Sequence, residues 1–198
     1  MQINNNSLIS HLHVTPENIL QCKTIDELAI FFGFSDYLEL SKLIYPKINK
    51  QYYSFKIKKK SGGFREIKAP KKKLKELQLQ ILSQLEKIYK VRKGAHGFIE
   101  NKSIVTNASL HVGKNIVFNL DLQDFFPTIS FGRVKKLFMS YPLNLTNDIA
   151  TVLAQICCVN GCLPQGSPTS PIISNMICYK MDNDLFSLSI NNACTYSR

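Results

Sequence analysis

Apolar positions along this chain change period several times. Leu74, Leu77, Ile81, Leu85 and Ile88 recur at spacings of three and four, which places one apolar stripe on a long helix, with Gly94 near its stop. Before it, residues 52–58 (YYSFKIK) alternate roughly with a period of two. SGG at 61–63 supplies a turn, and FREIKAP alternates again before closing on Pro70, so the pattern predicts a β-hairpin. The first 45 residues predict short helices. Thr15-Pro16 reads as an N-cap followed by proline at the first helical position. Thr24 with Glu27 reads as a capping box, Gly33 as a stop after Phe31 and Phe32, and Ser35 as the cap of a helix carrying Leu38, Leu43 and Ile44.

Further on, residues 115–121 (NIVFNLD) predict an apolar strand that ends on an aspartate. Ser130 is placed to cap a helix with Val134, Leu137 and Phe138, and Thr146 precedes another that runs through Ile156. After the turn-rich LPQGSPTSP, residues 172–188 predict one more helix, and residues 193–198 the start of a strand. Strands and helices interleave without a βα repeat, which points to an α+β fold. No apolar run approaches a membrane span, and MQINNNSLIS lacks the basic-then-apolar shape of a signal peptide, so the expected location is cytoplasmic, with no membrane partner.

Charge changes this picture more than composition does. The chain of 198 residues has a formal net charge of +11. Residues 47–75 hold twelve lysines and arginines against one acid, Glu66, while the rest of the chain balances thirteen bases against thirteen acids. A concentrated basic stretch attracts polyanions by releasing their counterions, although a solvated face has the same composition. Six cysteines, at 22, 157, 158, 162, 178 and 194, form no CxxC pair. They read as small apolar side chains, with no disulfide and no zinc site expected.

Two segments carry candidate chemistry. Asp121 and Asp124 stand in DLQDFFPTI; a carboxylate at a strand end can hold a hard divalent cation, but the same spacing serves loops and helix caps. Residues 163–171 combine three prolines and a glycine with Gln165 and several hydroxyls. Such a loop can lay its backbone and one amide against a nucleotide, or be a plain loop.

Taken together, these segments resemble a known family. NLDLQDFFPTI, followed about forty residues later by LPQGSPTSPIISN, resembles motifs A and B of the reverse transcriptase palm. FREIKAPKKKLKELQ resembles the fingers segment of bacterial reverse transcriptases, and HGF at 96–98 matches as well. NASLH at 107–111 resembles an Asn-Ala-x-x-His element that marks retron enzymes. The resemblance runs from about Tyr53 to the last residue. It implies a helical N-terminal extension over 1–50, basic fingers over 51–114 and a partial palm over 115–198.

The resemblance also implies roles. Asp121 would be the catalytic, metal-binding carboxylate for two magnesium ions, and the backbone carbonyl of Leu122 would help hold one of them. Arg65 and a lysine of the Lys58-Lys59-Lys60 run, taken here as Lys59, would clamp the triphosphate. Asp124 lies where the family makes backbone contacts to the triphosphate, and its side chain has a nearby base as an alternative partner. Phe126 would exclude a ribose 2′-hydroxyl, and Gln165 and Gly166 would shape the nucleotide pocket. Phe125 reads as core, and Phe126 has that reading too. His96 reads as a turn residue, and the element that carries His111 as scaffold or RNA contact. The implied activity is RNA-directed DNA polymerisation by a retron, on a structured non-coding RNA and through an RNA–DNA hybrid, with deoxynucleoside triphosphates as substrates. The implied setting is antiphage defence with an effector protein.

The chain departs from the family at one point. The second carboxylate motif, usually Tyr-Ala-Asp-Asp, does not occur, and TYSR at 195–198 resembles the residues before it. The expectation is therefore an inactive fragment of a longer enzyme. Two alternatives stay open: another bacterial reverse transcriptase of group II intron, diversity-generating or abortive-infection type, and a non-catalytic RNA-binding remnant.

Overall fold

The structure is a computed structural model that describes residues 16–45, 48–59 and 62–198. The Thr15 cap, and Lys47, Lys60 and Ser61 of the basic stretch, lie outside the described residues. Two short helices open the fold, α1 (Ile25–Phe31) and α2 (Tyr37–Ile44). The Thr24 side chain accepts from the Glu27 amide, and the Glu27 carboxylate reaches back to the Lys23 amide. The end of α1 is a Schellman motif: Gly33 N–H donates to the Ile30 carbonyl and Phe34 N–H to that of Ala29, with Gly33 at φ +83°. The cap of α2 differs from the sequence expectation. Asp36, not Ser35, accepts from the Glu39 amide, while the Ser35 amide and hydroxyl both donate to the Glu39 carboxylate. Those two donors hold the Glu39 carboxyl below its ordinary pKa.

A 3₁₀ turn (Ile48–Gln51) leads into β1 (Tyr52–Lys58), which pairs antiparallel with β2 (Phe64–Pro70) in the register Phe55 to Ile67 and Ile57 to Arg65. The long helix α3 (Lys72–Ile88) buries Leu74, Leu77, Ile81 and Leu85, as its period predicts, but closes at Tyr89, earlier than Gly94. After α4 (Ile104–Ser109) and the short α5 (Phe125–Thr128), helices α6 (Phe131–Met139) and α7 (Asn147–Cys157) are capped by Ser130 and Thr146 as the sequence indicates. The single helix expected over 172–188 is two, α8 (Ser170–Ile177) and α9 (Tyr179–Asn191), broken at Cys178.

One contiguous core joins these elements. Helix α7 is its centre: Ile149, Leu153 and Ile156 are fully buried, in one cluster with Val134 and Phe138 of α6, Ile81 and Leu85 of α3, and Ile173 of α8. Leu28, Leu40 and Ile44 bring α1 and α2 into the same core. Cys22, Cys157 and Cys158 are buried in it as small apolar side chains, and burial pushes the Cys157 thiol up to about 12 and Cys22 to about 11.

Two expected strands are not formed. Residues 115–121 lie in no strand, with Ile116 86% and Phe118 81% exposed. Among the described residues the strands that pair are β1 and β2, with each other. An apolar segment becomes a strand only where a neighbour supplies hydrogen bonds, and among the described residues none does. Residues 193–198 likewise form no strand.

The polar centre of the fold is Gln78 of α3, which is fully buried. Its Nε2 donates to Tyr52 Oη of β1 at 2.8 Å and to the Ile156 carbonyl at 2.8 Å. That carbonyl lies in the last turn of α7, where the helix itself offers no partner. Its Oε1 accepts from Ser167 Oγ at 2.7 Å, and Ser167 Oγ lies 3.0 Å from Thr169 Oγ1. One amide thus ties the hairpin, α3, α7 and the loop before α8. Replacing Gln78 with leucine keeps the volume and strands two buried polar groups, the Tyr52 hydroxyl and the Ile156 carbonyl, while Ser167 keeps Thr169, so the folded state should lose at least about 2 kcal/mol. Urea unfolding of both proteins measures this, and a loss below about 0.5 kcal/mol would show that the network contributes nothing.

Candidate functional site

Residues opposite one another in the hairpin share a face, so Arg65 lies on the side that carries Phe55, Ile57 and Ile67. Phe55, Ile57 and Arg65 are exposed, and Lys59 stands exposed at the hairpin tip, where its amide donates to the Gly63 carbonyl. The loop over 163–169 approaches this same face. Lys68 N–H donates to the Gln165 carbonyl at 2.7 Å, and a Cβ built on Gly166 would stand 2.8 Å from Ile67 Cγ2 and 2.9 Å from the Lys68 carbonyl oxygen. Gly166 also holds φ at +113°, so close approach and backbone conformation both select glycine there. Ser170 Oγ donates to the Pro164 carbonyl at 2.6 Å and closes the loop from the side of α8.

The start of the same loop is tied to the segment that carries the aspartates. Leu163 N–H donates to the Ile129 carbonyl at 2.9 Å, and Phe131 N–H to the Gly161 carbonyl at 2.8 Å. Just before Ile129, Asp124 takes a left-handed conformation (φ +48°) and turns the chain into α5. The turn packs Phe125 and Phe126 against the core, both half-buried, with their ring centroids 5.4 Å apart. Phe98 of the HGF element stacks at a tilt on Phe126, at 6.2 Å. Phe126 therefore has a packing role as well as an accessible edge.

Asp121 and Leu122 are exposed, and Asp121 stands on unpaired chain rather than at the end of a strand. Among the described residues neither Asp121 nor Asp124 makes an ion pair, and no hydrogen bond joins Asp121 to Gln165. Their segments are linked through Ile129 and Leu163 instead. Among the described residues no three His, Cys, Asp or Glu side chains gather as a metal-binding group. Asp121 and the Leu122 carbonyl are hard oxygen donors of the kind magnesium takes, but they do not make up a two-ion site.

His96 and His111 serve as ties. His96 Nδ1 lies 3.1 Å from Thr106 Oγ1, and His111 Nε2 lies 2.6 Å from Ser197 Oγ. Desolvation, then the positive charge of Lys102 and the neighbouring His111, hold His96 below its ordinary pKa. His111 and Asn107 of the NASLH element line a cleft of about 400 Å³, together with Val117, Phe118 and Ser197.

Sequence reading missed Gln78, Ser167, Asn175 and Asp182, all of them buried polar residues. A signal for them existed. Gln78 interrupts the apolar stripe of α3, and Asn175 and Asp182 stand seven residues apart on the buried side of α8 and α9. A polar residue on an apolar face has to find a partner.

Comparison with known proteins decides the family. Residues 57–196 match the family model described as reverse transcriptase (RNA-dependent DNA polymerase). The chain belongs to the reverse transcriptase family. It is 34% identical over 165 residues to the Retron Mx65 reverse transcriptase of Myxococcus xanthus, covering 75% of this chain and 39% of that protein. It is 36% identical over 163 residues to the Retron Mx162 reverse transcriptase of the same organism, covering 74% and 34%. The Retron Ec86 reverse transcriptase of Escherichia coli is 32% identical over 163 residues, covering 81% and 50%. The chain thus spans between a third and a half of the length of these relatives, and its kinship is of the retron type.

Gly166 fixes the distance between hairpin and loop. Gly166→Ala should push the loop off β2 and cost about 1–3 kcal/mol, through contact and positive-φ strain together. Amide exchange at Lys68, whose donor bond to Gln165 would open, reads this directly. Unchanged protection of Lys68 would mean that the loop accepts a side chain there.

Proposed function

We propose that these 198 residues are the nucleotide-binding front part of a retron RNA-directed DNA polymerase. On this reading residues 51–114 are the fingers, 115–198 the front of the palm and 1–50 a helical extension. The observation that carries it is the convergence just described. The hairpin face with Arg65 is in contact with the loop at Gln165 and Gly166, and that loop is bonded to the chain leading from Asp121 and Phe126.

The chemistry of each residue suits the proposal. A guanidinium at Arg65 grips phosphate with two parallel hydrogen bonds, and Lys59 adds a mobile charge at the tip. The backbone at Leu122 and Asp124 stands beside the path of the triphosphate. Phe126, backed by Phe98 and Phe125, presents a rigid ring to the sugar and excludes a 2′-hydroxyl. Gln165 and Gly166 shape the pocket around the incoming nucleotide and the template base. Magnesium is the cofactor that the reading implies, with Asp121 and the Leu122 carbonyl as the share of its donors that these residues provide. The exposed lysines of the hairpin and the start of α3 suit phosphates of a structured non-coding RNA and of the RNA–DNA hybrid. Antiphage defence with an effector protein belongs to the same reading and is supported by retron kinship alone.

On this reading Asp121 is the single catalytic carboxylate these residues bring to a two-ion site, and synthesis by them alone is not expected. Primer extension on an RNA template should give no product with them. A version extended through a Tyr-Ala-Asp-Asp motif should give DNA, and Asp121→Asn should reduce it by at least about 100-fold. In that version Arg65→Ala should raise the nucleotide KM about 10- to 100-fold, the equivalent of a lost charge-assisted contact. Synthesis by the short form, or full activity of the extended form with Asp121→Asn, would refute the proposal. A non-catalytic RNA-binding remnant would show RNA binding in both forms and synthesis in neither.

A further inference from the structure

Asp182 of α9 is the one buried carboxylate among the described residues, 1% exposed, and nothing in the nucleotide site uses it. It is fully occupied all the same. Oδ1 accepts from Tyr196 Oη at 2.8 Å and from Arg198 Nε at 2.9 Å, and Oδ2 accepts from Arg198 Nη2 at 2.6 Å. The guanidinium continues the chain of bonds: Nη1 donates to Asn175 Oδ1 at 3.0 Å, and Asn175 Nδ2 donates to the Gly97 carbonyl at 3.1 Å. The backbone closes the same contact, with Arg198 N–H donating to the Gly94 carbonyl and the amides of His96 and Gly97 both donating to the Arg198 carbonyl. Gly94 leaves room for the aromatic partner, since a Cβ there would stand 2.7 Å from Tyr196 Cδ1.

We propose that Asp182 is a positioning residue, which through Arg198, Tyr196 and Asn175 locks residues 196–198 beside Gly94, His96 and Gly97. The placement matters because residues 195–197 line the same cleft as Val117, Phe118 and Asn119, on the approach to Asp121. Tyr196 and Arg198 alternate with Ser197, so the two inward side chains go to Asp182 while Ser197 faces His111. The clasp thus sets the spacing between the Asp121 approach and the chain that runs alongside it. Its consequence for synthesis rests on the polymerase reading, whereas the clasp itself does not.

The asymmetry of burial makes the idea testable. The Arg198 side chain is 21% exposed and can turn to solvent, whereas Asp182 is 1% exposed and cannot. Asp182→Asn should therefore release the segment without unfolding α7, and Arg198→Gln should be the more damaging change, because it leaves a buried carboxylate without its cation. In the 198-residue chain, Asp182→Asn should speed amide exchange at His96, Gly97 and Arg198 by at least about 10-fold, with α7 amides unchanged. Gly94→Ala, which keeps every charge, should open the same three amides by displacing Tyr196, and it serves if Asp182→Asn fails to fold. Three amides that stay protected in either folded variant would overturn the clasp.

In an extended form that synthesises DNA, Asp182→Asn should lower kcat about 10-fold with nucleotide KM unchanged, and Asp182→Glu should recover part of the loss. Faster exchange without a fall in kcat would overturn the positioning role. An unmutated extended form that makes no DNA would sink the polymerase reading and leave the exchange result to decide the clasp.

Discussion

A single buried amide sets the relations on which the rest of this structure depends. Gln78 has two donors and an acceptor in an apolar core, and it meets them from three different elements: the Tyr52 hydroxyl, the Ile156 carbonyl and the Ser167 hydroxyl. Apolar burial alone would hold α3 against α7, but it is indifferent to small slides of one surface over another. Hydrogen bonds of fixed length are not. By tying β1, α7 and the loop after Leu163 to one side chain, Gln78 settles where the basic hairpin stands relative to that loop. The nucleotide site proposed here is a consequence of that placement.

Function on this scaffold is divided between rigid and open parts. Helices α3, α6, α7 and α8 form the core, and the loop over 163–169 is held at both ends and from the side. The hairpin projects from it with exposed aromatic and basic side chains. The Asp121 approach runs in the open, with its apolar residues unpartnered, and the clasp around Asp182 holds the chain beside it. A polymerase has to bring phosphate-gripping cations, a sugar-sensing ring and carboxylates to one place. On the proposed reading Arg65 and Phe126 stand on elements tied to the core, and Asp121 on chain that the core does not reach.

Much of this was legible in the sequence because it depends on local chemistry. The hairpin follows from alternation around a glycine turn, α3 from its apolar stripe, and the end of α1 from a glycine able to take φ +83°. The caps of α6 and α7 follow from Ser130 and Thr146. What was not legible depends on partners elsewhere in the fold. Residues 115–121 have no strand neighbour among the described residues, and the local apolar pattern does not show whether one will pair. Asp36 displaces Ser35 as a cap because both can serve and the geometry one residue later suits the Glu39 amide. Asn175, Asp182 and Gln78 look like misplaced polar residues until the groups they bond, tens of residues away, are known.

The central claim is that hairpin, loop and Asp121 segment face one nucleotide. Photo-cross-linking tests it most directly: a deoxynucleoside triphosphate with a photoreactive base is bound with magnesium, irradiated, and the labelled peptides are mapped. The account predicts label on the peptides that contain Arg65, Gln165–Gly166 and Phe126, and loss of all of it together when excess unlabelled deoxynucleotide competes. Label spread along the basic stretch at 47–75 with none on the Phe126 or Gln165 peptides would contradict it, and would leave the positive charge as a surface for polyanions alone.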